Sequence, residues 1–338
     1  MRPATLFLTM DSTTLRHPDV ESLVRRSSLI FPVNVERFAE KAYLRGADCV
    51  IMDLEDSVPE GEKDKARSLV RDYIPVVGKG GGDVAVRINR PIRQATLDLE
   101  ASVWPGLACV SMPKVESAEE VRLIDQIISG LERKRGMGAG TVQLAVAVET
   151  ALGVVRAYEI ASASPRTVTM GIGAEDLTQE MGVQTTKEGQ ELWYARSKVL
   201  TDAYAAGVQP MGLVGVDPFT WGEPETTYKA AVNSRGLGYK GAQSIHPAPI
   251  PQLNRGFSVP REEADQMRRA LEAFEEGLRR GTASVNVDGR MIDIASAERC
   301  RRILRRVAAI AGMDERKSEA IKDPDSVESR LRAAIDEV

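Results

Sequence analysis

The sequence alternates between short apolar runs and longer segments with helical spacing, and it does so eight times between residues 26 and 258. The eight apolar runs are SSLIFPV, ADCVIMDL, DVAVRIN, LACVSMP, VQLAVAVE, TVTMGIG, VQPMGLVGV and YKGAQSI. Strands rich in Val, Ile and Leu that are separated by amphipathic helices indicate a parallel sheet covered by helices. Eight such units at this length predict an α/β fold, the (β/α)₈ or TIM barrel.

The alternative is a doubly wound open sheet that binds a dinucleotide. That fold is expected to carry a GxGxxG turn after a strand, and none of the eight runs is followed by one. The glycine-rich segment GKGGGD at 78–83 precedes a strand, so we interpret it as a loop rather than a phosphate cradle. The pattern therefore favours the barrel.

Segments outside the eight units lie at both ends of the chain. Residues 1–25 lack a periodic pattern and are expected to be an N-terminal extension, with the barrel at residues 26–258. Residues 259–338 are expected to form a C-terminal lid and tail: a charged helix, a hairpin-like piece TASVNVDGRMID, a helix to about residue 312 and a charged end. The barrel is not expected to need this appendage for closure.

Composition and charge exclude several classes of function. A net charge of −4 over 338 residues gives no electrostatic footprint for nucleic acid. The three cysteines, Cys49, Cys109 and Cys300, are odd in number and lack CxxC spacing, which favours free thiols and a cytoplasmic location. No signal peptide and no apolar run of about 18 residues is present, so no membrane span is expected.

Several predicted strands end in polar residues, and the chemistry of a (β/α)₈ barrel lies at the carboxyl ends of its strands. These residues are Asp53, Glu55 and Asp56 after strand 2, Arg87 and Asn89 after strand 3, Lys114 after strand 4, Glu149 after strand 5, Glu175 and Asp176 after strand 6, and Gln243, Ser244 and His246 after strand 8. Charges of both signs are therefore expected at one rim of the barrel.

Glu149 interrupts the small apolar run LAVAVETALGVV, where an ionised side chain is costly to bury without compensation. Asp176 follows one strand–helix unit later, so the two acids are expected on neighbouring strand ends. Neighbouring strands lie about 4.8 Å apart, which is close enough for two carboxylates to share a cation. Mg²⁺ is commonly held by one or two carboxylates with waters and substrate oxygens. A salt bridge from Glu149 to Arg87 or Lys114 explains the position equally well. On spacing alone, both interpretations stay open.

Arg87 is placed either to clamp a carboxylate or developing enolate oxygen, or to pair with the acids after strand 2. The chain has only two histidines, His17 and His246. A nucleophilic triad built on histidine is therefore not expected, and His246 is interpreted as a structural hydrogen-bonder.

Eight segments together resemble a known family. They are RSSLIFPVN, GADCVIMDLEDSVPEGEKDKAR, VRIN, SMPKVES, VAVETALGV, GAEDLTQEMG, LWYARSKVL and SIHPAPI. In this order they resemble the HpcH/HpaI aldolase–citrate lyase β-subunit family, and within it the coenzyme A-dependent branch of citrate lyase β-like proteins and malyl-CoA and citramalyl-CoA lyases. The resemblance covers residues 26 to 312.

The resemblance implies a (β/α)₈ barrel in which Glu149 and Asp176 hold Mg²⁺. It also implies that Arg87 faces the reacting carbonyl group. Asp53 and Glu55 would then support the site, through metal-bound waters or through Arg87.

The resemblance further implies a coenzyme A site on the first strand and the helix after it, with Arg26, Asn34 and Lys41 at the matching positions. In relatives with a C-terminal lid, an acid in a segment like DGRMIDIA enters the neighbouring subunit's site as general acid or base. Asp293 is that acid in this chain. A homo-oligomer, a trimer or hexamer, is implied by the same resemblance.

The chain departs from the family at three places. Val33 adds bulk after Pro32, where the family usually has Gly or Ala and where backbone would approach a phosphate. The segment VGVDPFTWGEPETTY keeps an acid, Asp217, but is otherwise unlike the family. The pyruvate-aldolase branch uses a histidine near the end of strand 2, where this chain has MDLEDS.

The expected function is a Mg²⁺-dependent carbon–carbon lyase acting on small molecules. It would reversibly cleave a carboxylated 3-hydroxyacyl-CoA, such as malyl-CoA or citramalyl-CoA, to an acyl-CoA and a 2-oxo acid. The alternatives are a thioesterase that uses the same site, a 2-oxo-acid aldolase that acts without coenzyme A, and a non-catalytic barrel.

Overall fold

The computed structural model describes residues 20–186, 188–215 and 223–338, and within them eight parallel strands form one sheet. The strands are β1 (Ser27–Pro32), β2 (Cys49–Asp53), β3 (Asp83–Arg87), β4 (Cys109–Met112), β5 (Gln143–Val148), β6 (Thr167–Ile172), β7 (Gln209–Met211) and β8 (Ala242–Ser244). Their order in the sheet is β7-β6-β5-β4-β3-β2-β1-β8. Chain order and spatial order therefore coincide around the sheet, as in a (β/α)₈ barrel.

Backbone hydrogen bonds beside β7 and β8 bring the two edges of the sheet together. The Lys240 N–H donates to the Pro210 carbonyl, and the Gly212 N–H donates to the Gly241 carbonyl, both at 2.9 Å. A Cβ at Gly241 would lie 1.9 Å from the Arg25 carbonyl oxygen, so only glycine fits there. The sheet is a nearly closed barrel, and the predicted fold class is confirmed.

Helices alternate with the strands and cover the outside of the barrel. They are α1 (Glu36–Ala42), α2 (Lys63–Gly78), α3 (Ile92–Ser102), α4 (Ala118–Lys134), α5 (Ala151–Val155), α6 (Ala157–Ala161), α7 (Ala174–Met181), α8 (Trp193–Ala206), α9 (Pro224–Leu237) and α10 (Ile250–Gly256), with 3₁₀ turns at Tyr43–Arg45, Glu60–Glu62 and Gln190–Leu192. Ile74, Leu99 and Ile128 are buried on the inner faces of α2, α3 and α4. This burial of one stripe per helix is what the helical spacing of apolar residues predicts.

Side chains alternate along each strand between the helices and the barrel interior. Ile51 and Ala85 pack inside the barrel. Asp53 and Arg87 follow two residues later on the same strands and are paired in register. The alternation that fills the interior with apolar side chains therefore also directs these two charged residues to its carboxyl end, which we call the mouth.

The C-terminal region consists of three helices and a hairpin. Its elements are α11 (Arg261–Arg279), β9 (Val285–Val287), β10 (Arg290–Ile292), α12 (Ile294–Ala320) and α13 (Pro324–Asp336). The hairpin packs on α11 and α12. Helix α12 continues past residue 312, where its end was predicted, and the charged tail forms α13, in which Ile335 is buried against the barrel's core.

The amino ends of the strands are covered by α12 through a set of ion pairs that we call the floor cluster. Its members are Arg25, Arg26, Asp48, Asp83, Asp314, Arg316 and Lys317. Arg26 Nε donates to Asp48 Oδ2 at 2.7 Å, and Lys317 Nζ donates to Asp48 Oδ1 at 2.6 Å. The C-terminal helix thus closes one end of the barrel, a role that the sequence pattern did not predict.

The end of the predicted N-terminal extension also belongs to this closed end. Val20 and Leu23 pack on Val168 of β6, and Val24 packs on Ile310 and Met313 of α12. Residues 1–19 lie outside the described residues.

The three cysteines are buried and free, as expected. Within the described ranges, no helix combines the length and the apolar composition that crossing a membrane requires.

Candidate active site

Asp53 and Arg87 end adjacent strands and form a two-pronged ion pair. Arg87 Nε donates to Asp53 Oδ1 and Nη2 donates to Oδ2, both at 2.7 Å. Burial favours a raised pKa for Asp53, but hydrogen bonds from Arg87 and Ser57 outweigh burial and hold the pKa below its usual value. Arg87 Nη1 lies 3.0 Å from Glu55 Oε2. The two acids therefore fix the plane of the guanidinium at the mouth.

Lys114 follows β4 with a left-handed backbone, φ 49°, which is uncommon for a residue with a Cβ. Its ammonium lies 2.8 Å from Glu55 Oε1, 2.7 Å from Asp56 Oδ2 and 3.4 Å from Asp176 Oδ1. Its backbone N–H donates to Glu149 Oε1 at 2.9 Å. The unusual backbone thus lets one residue contact four acids of the mouth.

Glu149 directly follows β5 and is only 6% exposed. Burial raises the pKa of Glu149 to about 7; the charges of Asp176 and Glu55 also raise it, and the Lys114 N–H lowers it. The structure records no ion pair of Glu149 with another described residue, because Lys114 reaches it through the backbone and Arg87 is bound elsewhere. The salt-bridge interpretation therefore does not account for this buried acid.

Gly173 makes room for Glu149 and is absent from the residues predicted above. A Cβ at Gly173 would lie 1.9 Å from Glu149 Oε2. Helix α7 begins at the next residue and carries Asp176 in its first turn. The signal that could have identified Gly173 is its position between a strand end and an acid-bearing helix.

The donor set at the mouth suits one kind of metal ion. Within the described parts of the chain, no group of three or more His, Cys, Asp or Glu side chains is arranged to hold a metal. Glu149 and Asp176 form a pair, close enough for the charge of Asp176 to raise the Glu149 pKa. A pair of carboxylates that leaves the other ligand positions to water and substrate oxygens fits Mg²⁺. We call Asp53, Glu55, Asp56, Arg87, Lys114, Glu149 and Asp176 the mouth cluster.

A buried lysine, also missing from the sequence predictions, supports the mouth cluster from below. Lys63 Nζ donates to the carbonyls of Leu54 and Glu55 and to Asn89 Oδ1, at 2.7 to 2.8 Å. Asn89 Nδ2 in turn donates to Asp98 Oδ2 at 2.7 Å. The segment that carries the Glu55 carboxylate is therefore held rigidly against the end of β3.

A cavity of about 440 Å³ lies beside the carboxyl ends of β1 and β8. Lys41 lines it, as the resemblance implies for a coenzyme A residue, together with Arg37 and Arg45. The last two were not predicted, although their spacing of four residues from Lys41 places all three on one face of the helical segment. Phe38 and Ile245 add exposed apolar surface to the lining.

Arg26 does not lie near this cavity. It precedes β1 and is therefore at the amino end of the barrel, buried and bonded to Asp48 and Asp314. The structure removes Arg26 from the expected coenzyme A residues. Asn34 is near the cavity end of β1, and its buried Oδ1 finds no hydrogen-bond partner among the described residues. Val33 packs in the core.

Asp293 caps α12, where its Oδ1 accepts a hydrogen bond from the Ser296 N–H at 2.8 Å. This hydrogen bond holds the pKa of Asp293 below its usual value. The recorded contacts of Asp293 do not join it to the mouth cluster of its own chain. His246 Nδ1 accepts from the Ala248 N–H at 3.2 Å, as expected of a structural hydrogen-bonder.

Two further residues discussed above, His17 and Asp217, lie outside the described residues.

Residues 26–247 match the family described as HpcH/HpaI aldolase/citrate lyase. The chain belongs to this family. The resemblance drawn from the motifs is therefore confirmed.

Two relatives illustrate the family's range. The citrate lyase subunit beta of Leuconostoc mesenteroides subsp. cremoris is 32% identical over 285 residues, which are 83% of this chain and 93% of that protein. The L-malyl-CoA/beta-methylmalyl-CoA lyase of Cereibacter sphaeroides is 31% identical over 304 residues, 85% of this chain and 95% of that protein. Both are named as lyases, on different substrates.

A solved structure is similar along most of the chain. Protein CitE from Mycobacterium tuberculosis, in complex with magnesium, acetoacetate and coenzyme A, has a TM-score of 0.66 and 30% identity, and the match covers 85% of this chain and 99% of that one. The likeness therefore extends beyond the barrel into the C-terminal region.

Proposed function

We propose that this chain is a Mg²⁺-dependent, coenzyme A-linked carbon–carbon lyase. Its substrate would be a carboxylated 3-hydroxyacyl-CoA of the malyl-CoA or citramalyl-CoA type, cleaved reversibly to an acyl-CoA and a 2-oxo acid. The observation that carries the proposal is Glu149, a buried acid with a pKa near 7 and Asp176 beside it. Relatives named as citrate lyase β and malyl-CoA lyase support the reaction class.

Glu149 and Asp176 are the residues that would hold Mg²⁺, which when bound supplies positive charge to the oxygens of the 2-oxo acid. Arg87 supplies the second positive group. Its guanidinium is held in place by Asp53 and Glu55, yet its side chain keeps 21% of its surface exposed at the mouth. From there it stabilises the negative charge that develops on the thioester oxygen as the bond breaks.

Asp293 of a second copy of the chain would move the proton. The low pKa keeps the carboxylate ionised, so in the condensation direction it accepts a proton from the acyl-CoA α-carbon, while the new alkoxide takes a proton from water. Both transfers run in reverse during cleavage. Met291 and Ile294 flank it and are 69% and 66% exposed. Exposed apolar side chains around a carboxylate suit a contact with another subunit, which is why the proposal includes a homo-oligomer.

The 440 Å³ cavity would receive coenzyme A. Arg37, Lys41 and Arg45 offer charge for its phosphates, and Phe38 and Ile245 offer apolar contact for its adenine. Because the cavity opens at the carboxyl end of β1, a thioester extending from it points toward the mouth cluster.

The test is to incubate the purified chain with Mg²⁺, acetyl-CoA or propionyl-CoA, and a panel of 2-oxo acids. We expect an adduct whose mass is the sum of the two substrates, detected by liquid chromatography and mass spectrometry and abolished by EDTA. Release of free coenzyme A thiol together with the free hydroxy acid, in place of the adduct, would instead identify a thioesterase. Turnover of a 2-oxo acid adduct without coenzyme A would identify an aldolase, and the absence of any Mg²⁺-dependent product would refute the proposal.

A further inference from the structure

Helix α12 carries many basic residues, and most of them have a carboxylate partner. The pairs are Arg301 with Glu275 and Glu298, Arg305 with Glu21 and Glu298, Arg316 with Asp83, and Lys317 with Asp48 and Asp314. The other three, Arg299, Arg302 and Arg306, form no ion pair with any described residue, and Arg302 and Arg306 lie one helical turn apart. Two like charges at this spacing repel each other.

Both arginines act on Lys240, which lies between α9 and β8 at the amino end of the barrel. Burial, together with the charges of Arg306, Arg302 and Arg235, lowers the pKa of Lys240 to about 8. Its ammonium lies 5.9 Å from the centre of the Tyr204 ring. In the described chain the Lys240 ammonium has no hydrogen bond or ion pair, so three cations from two elements converge here unpaired.

The arrangement is fixed by backbone contacts rather than by acids. Arg306 Nη2 donates to the Lys240 carbonyl at 3.1 Å, and Nη1 donates to the Leu23 carbonyl. The Tyr204 hydroxyl donates to the Gly238 carbonyl at 2.6 Å. These bonds orient the basic groups but leave their charge uncompensated.

Carboxylates on the neighbouring elements are already bound by other cations, as Glu21 and Glu298 are by Arg305. Glu263 Oε2 accepts from Arg235 Nη1 at 2.9 Å. Asp48, whose charge acts on Arg306, belongs to the floor cluster and is bonded to Arg26. None of these acids is therefore available to neutralise the three unpaired cations.

We propose that Lys240, Arg302 and Arg306 form a binding site for a phosphate-type anion, at the opposite end of the barrel from the mouth. A phosphate group carries up to two negative charges and accepts charge-assisted hydrogen bonds from ammonium and guanidinium groups together. Bound there, it joins α12 to the segment before β8 and offsets the repulsion between the arginines. Free inorganic phosphate and the phosphate of a nucleotide share this chemistry.

The experiment measures the affinity of the full chain for inorganic phosphate and for AMP by calorimetry at pH 7, with ionic strength held constant by NaCl. We expect Lys240→Met and Arg302→Gln each to weaken phosphate binding at least tenfold. Lys229→Met is the matched control, an exposed lysine on α9 paired with Glu225. It should keep the wild-type affinity. Lys41→Met removes a cation from the coenzyme A cavity and therefore reports any phosphate or AMP that binds there instead.

Comparing the two ligands identifies the source of the phosphate. Equal affinities for phosphate and AMP indicate the free ion, whereas tenfold tighter binding of AMP indicates a nucleotide. Circular dichroism checks that each variant is folded. If Lys240→Met does not fold, the phosphate affinity of Arg302→Gln, a change at an exposed position, decides the question. The proposal fails if all variants bind phosphate alike, or if only Lys41→Met loses it. It also fails if Lys240→Met changes the oligomeric mass without altering phosphate affinity, because the cluster then faces another copy.

Discussion

The two ends of the barrel interior both hold clusters of acids and bases, but they balance their charges differently. In the floor cluster Asp48 is completely buried and is bonded by Arg26 and Lys317. In the mouth cluster five carboxylates share two cations, Arg87 and Lys114. Every acid of the floor is paired with a cation and a helix covers the floor, whereas the mouth is open and has more acids than cations.

This difference indicates a structural role for the floor cluster and a chemical role for the mouth cluster. Buried pairs with complete partners hold elements together, and removing one partner leaves an uncompensated charge. A cluster with excess acids, one of them with a raised pKa, is a place where a ligand can supply the missing charge. The predictions below test this division, beginning with the largest expected effect.

Replacing Asp48 should cost the most stability. Asp48→Asn leaves Arg26 and Lys317 without their buried carboxylate, so we expect the free energy of unfolding to fall by about 3–5 kcal/mol. Asp56→Asn is the matched change at the mouth, where the side chain is 56% exposed, and should cost under about 1 kcal/mol. Urea unfolding measures both. An equal loss of unfolding free energy in both variants would contradict a structural role for the floor cluster.

Glu149→Gln should have the opposite profile. Turnover of the proposed lyase should fall by about 10³-fold or more, because several kcal/mol of charge stabilisation are lost with the metal ligand. The free energy of unfolding without Mg²⁺ should not fall, since a neutral amide replaces a carboxylate that is costly to bury. Steady-state kinetics and unfolding in EDTA test the two halves separately. A variant that unfolds easily and keeps its turnover would reverse the assignment.

Gly173→Ala should reduce turnover by about 10²-fold, because the new Cβ displaces the Glu149 carboxylate by an ångström or more. Gly130→Ala in α4 is the control, since a Cβ there meets nothing within 4 Å. Kinetics at increasing Mg²⁺ show whether the loss comes with weaker metal binding. If both alanine variants behave alike, Gly173 has no special role.

Lys240→Met should give the smallest effect, and one that depends on pH. The pKa of Lys240 is lowered from 10.5 to about 8, so the stability it contributes is present above the unfolded pKa and is lost as pH falls through 8. In buffer without phosphate, the variant should therefore be more stable than the wild type at pH 7 by about 1–2 kcal/mol, after screening of a partly exposed amine. The gain should nearly vanish above pH 10.5. Urea unfolding at both pH values measures it, and a gain independent of pH would rule out charge as the cause.

The mouth was largely predictable from the sequence, and the floor was not. Alternation along the strands places Asp53 and Arg87 on the interior face, and chain order places Glu149 and Asp176 on neighbouring units. The Arg26–Asp314 pair joins residues 288 positions apart, and no local pattern encodes such a contact. The length of α12 was underestimated because a charged helix that packs only one face looks like a solvated tail.

Some contacts of the mouth cluster could be determined only from the three-dimensional structure. The left-handed backbone at Lys114 decides that its N–H, and not its ammonium, meets Glu149. Spacing alone left the metal and the salt bridge open for that reason. The error at Arg26 was avoidable, because a residue directly before a parallel strand lies at the amino end of the barrel.

Helix α12 has 27 residues and is therefore about 40 Å long. Asp293 is at its first turn, and the residues that anchor it to Asp48 and Asp83 lie near its last turns. The helix is therefore attached to the amino end of the barrel, and its first turns extend away from that attachment. Arg306 also bonds the Leu23 and Lys240 carbonyls there, so the free arm is the 13 residues from Asp293, about 20 Å. A tilt of about 5° around Arg306 would move the carboxylate proposed to carry the proton by about 1.7 Å.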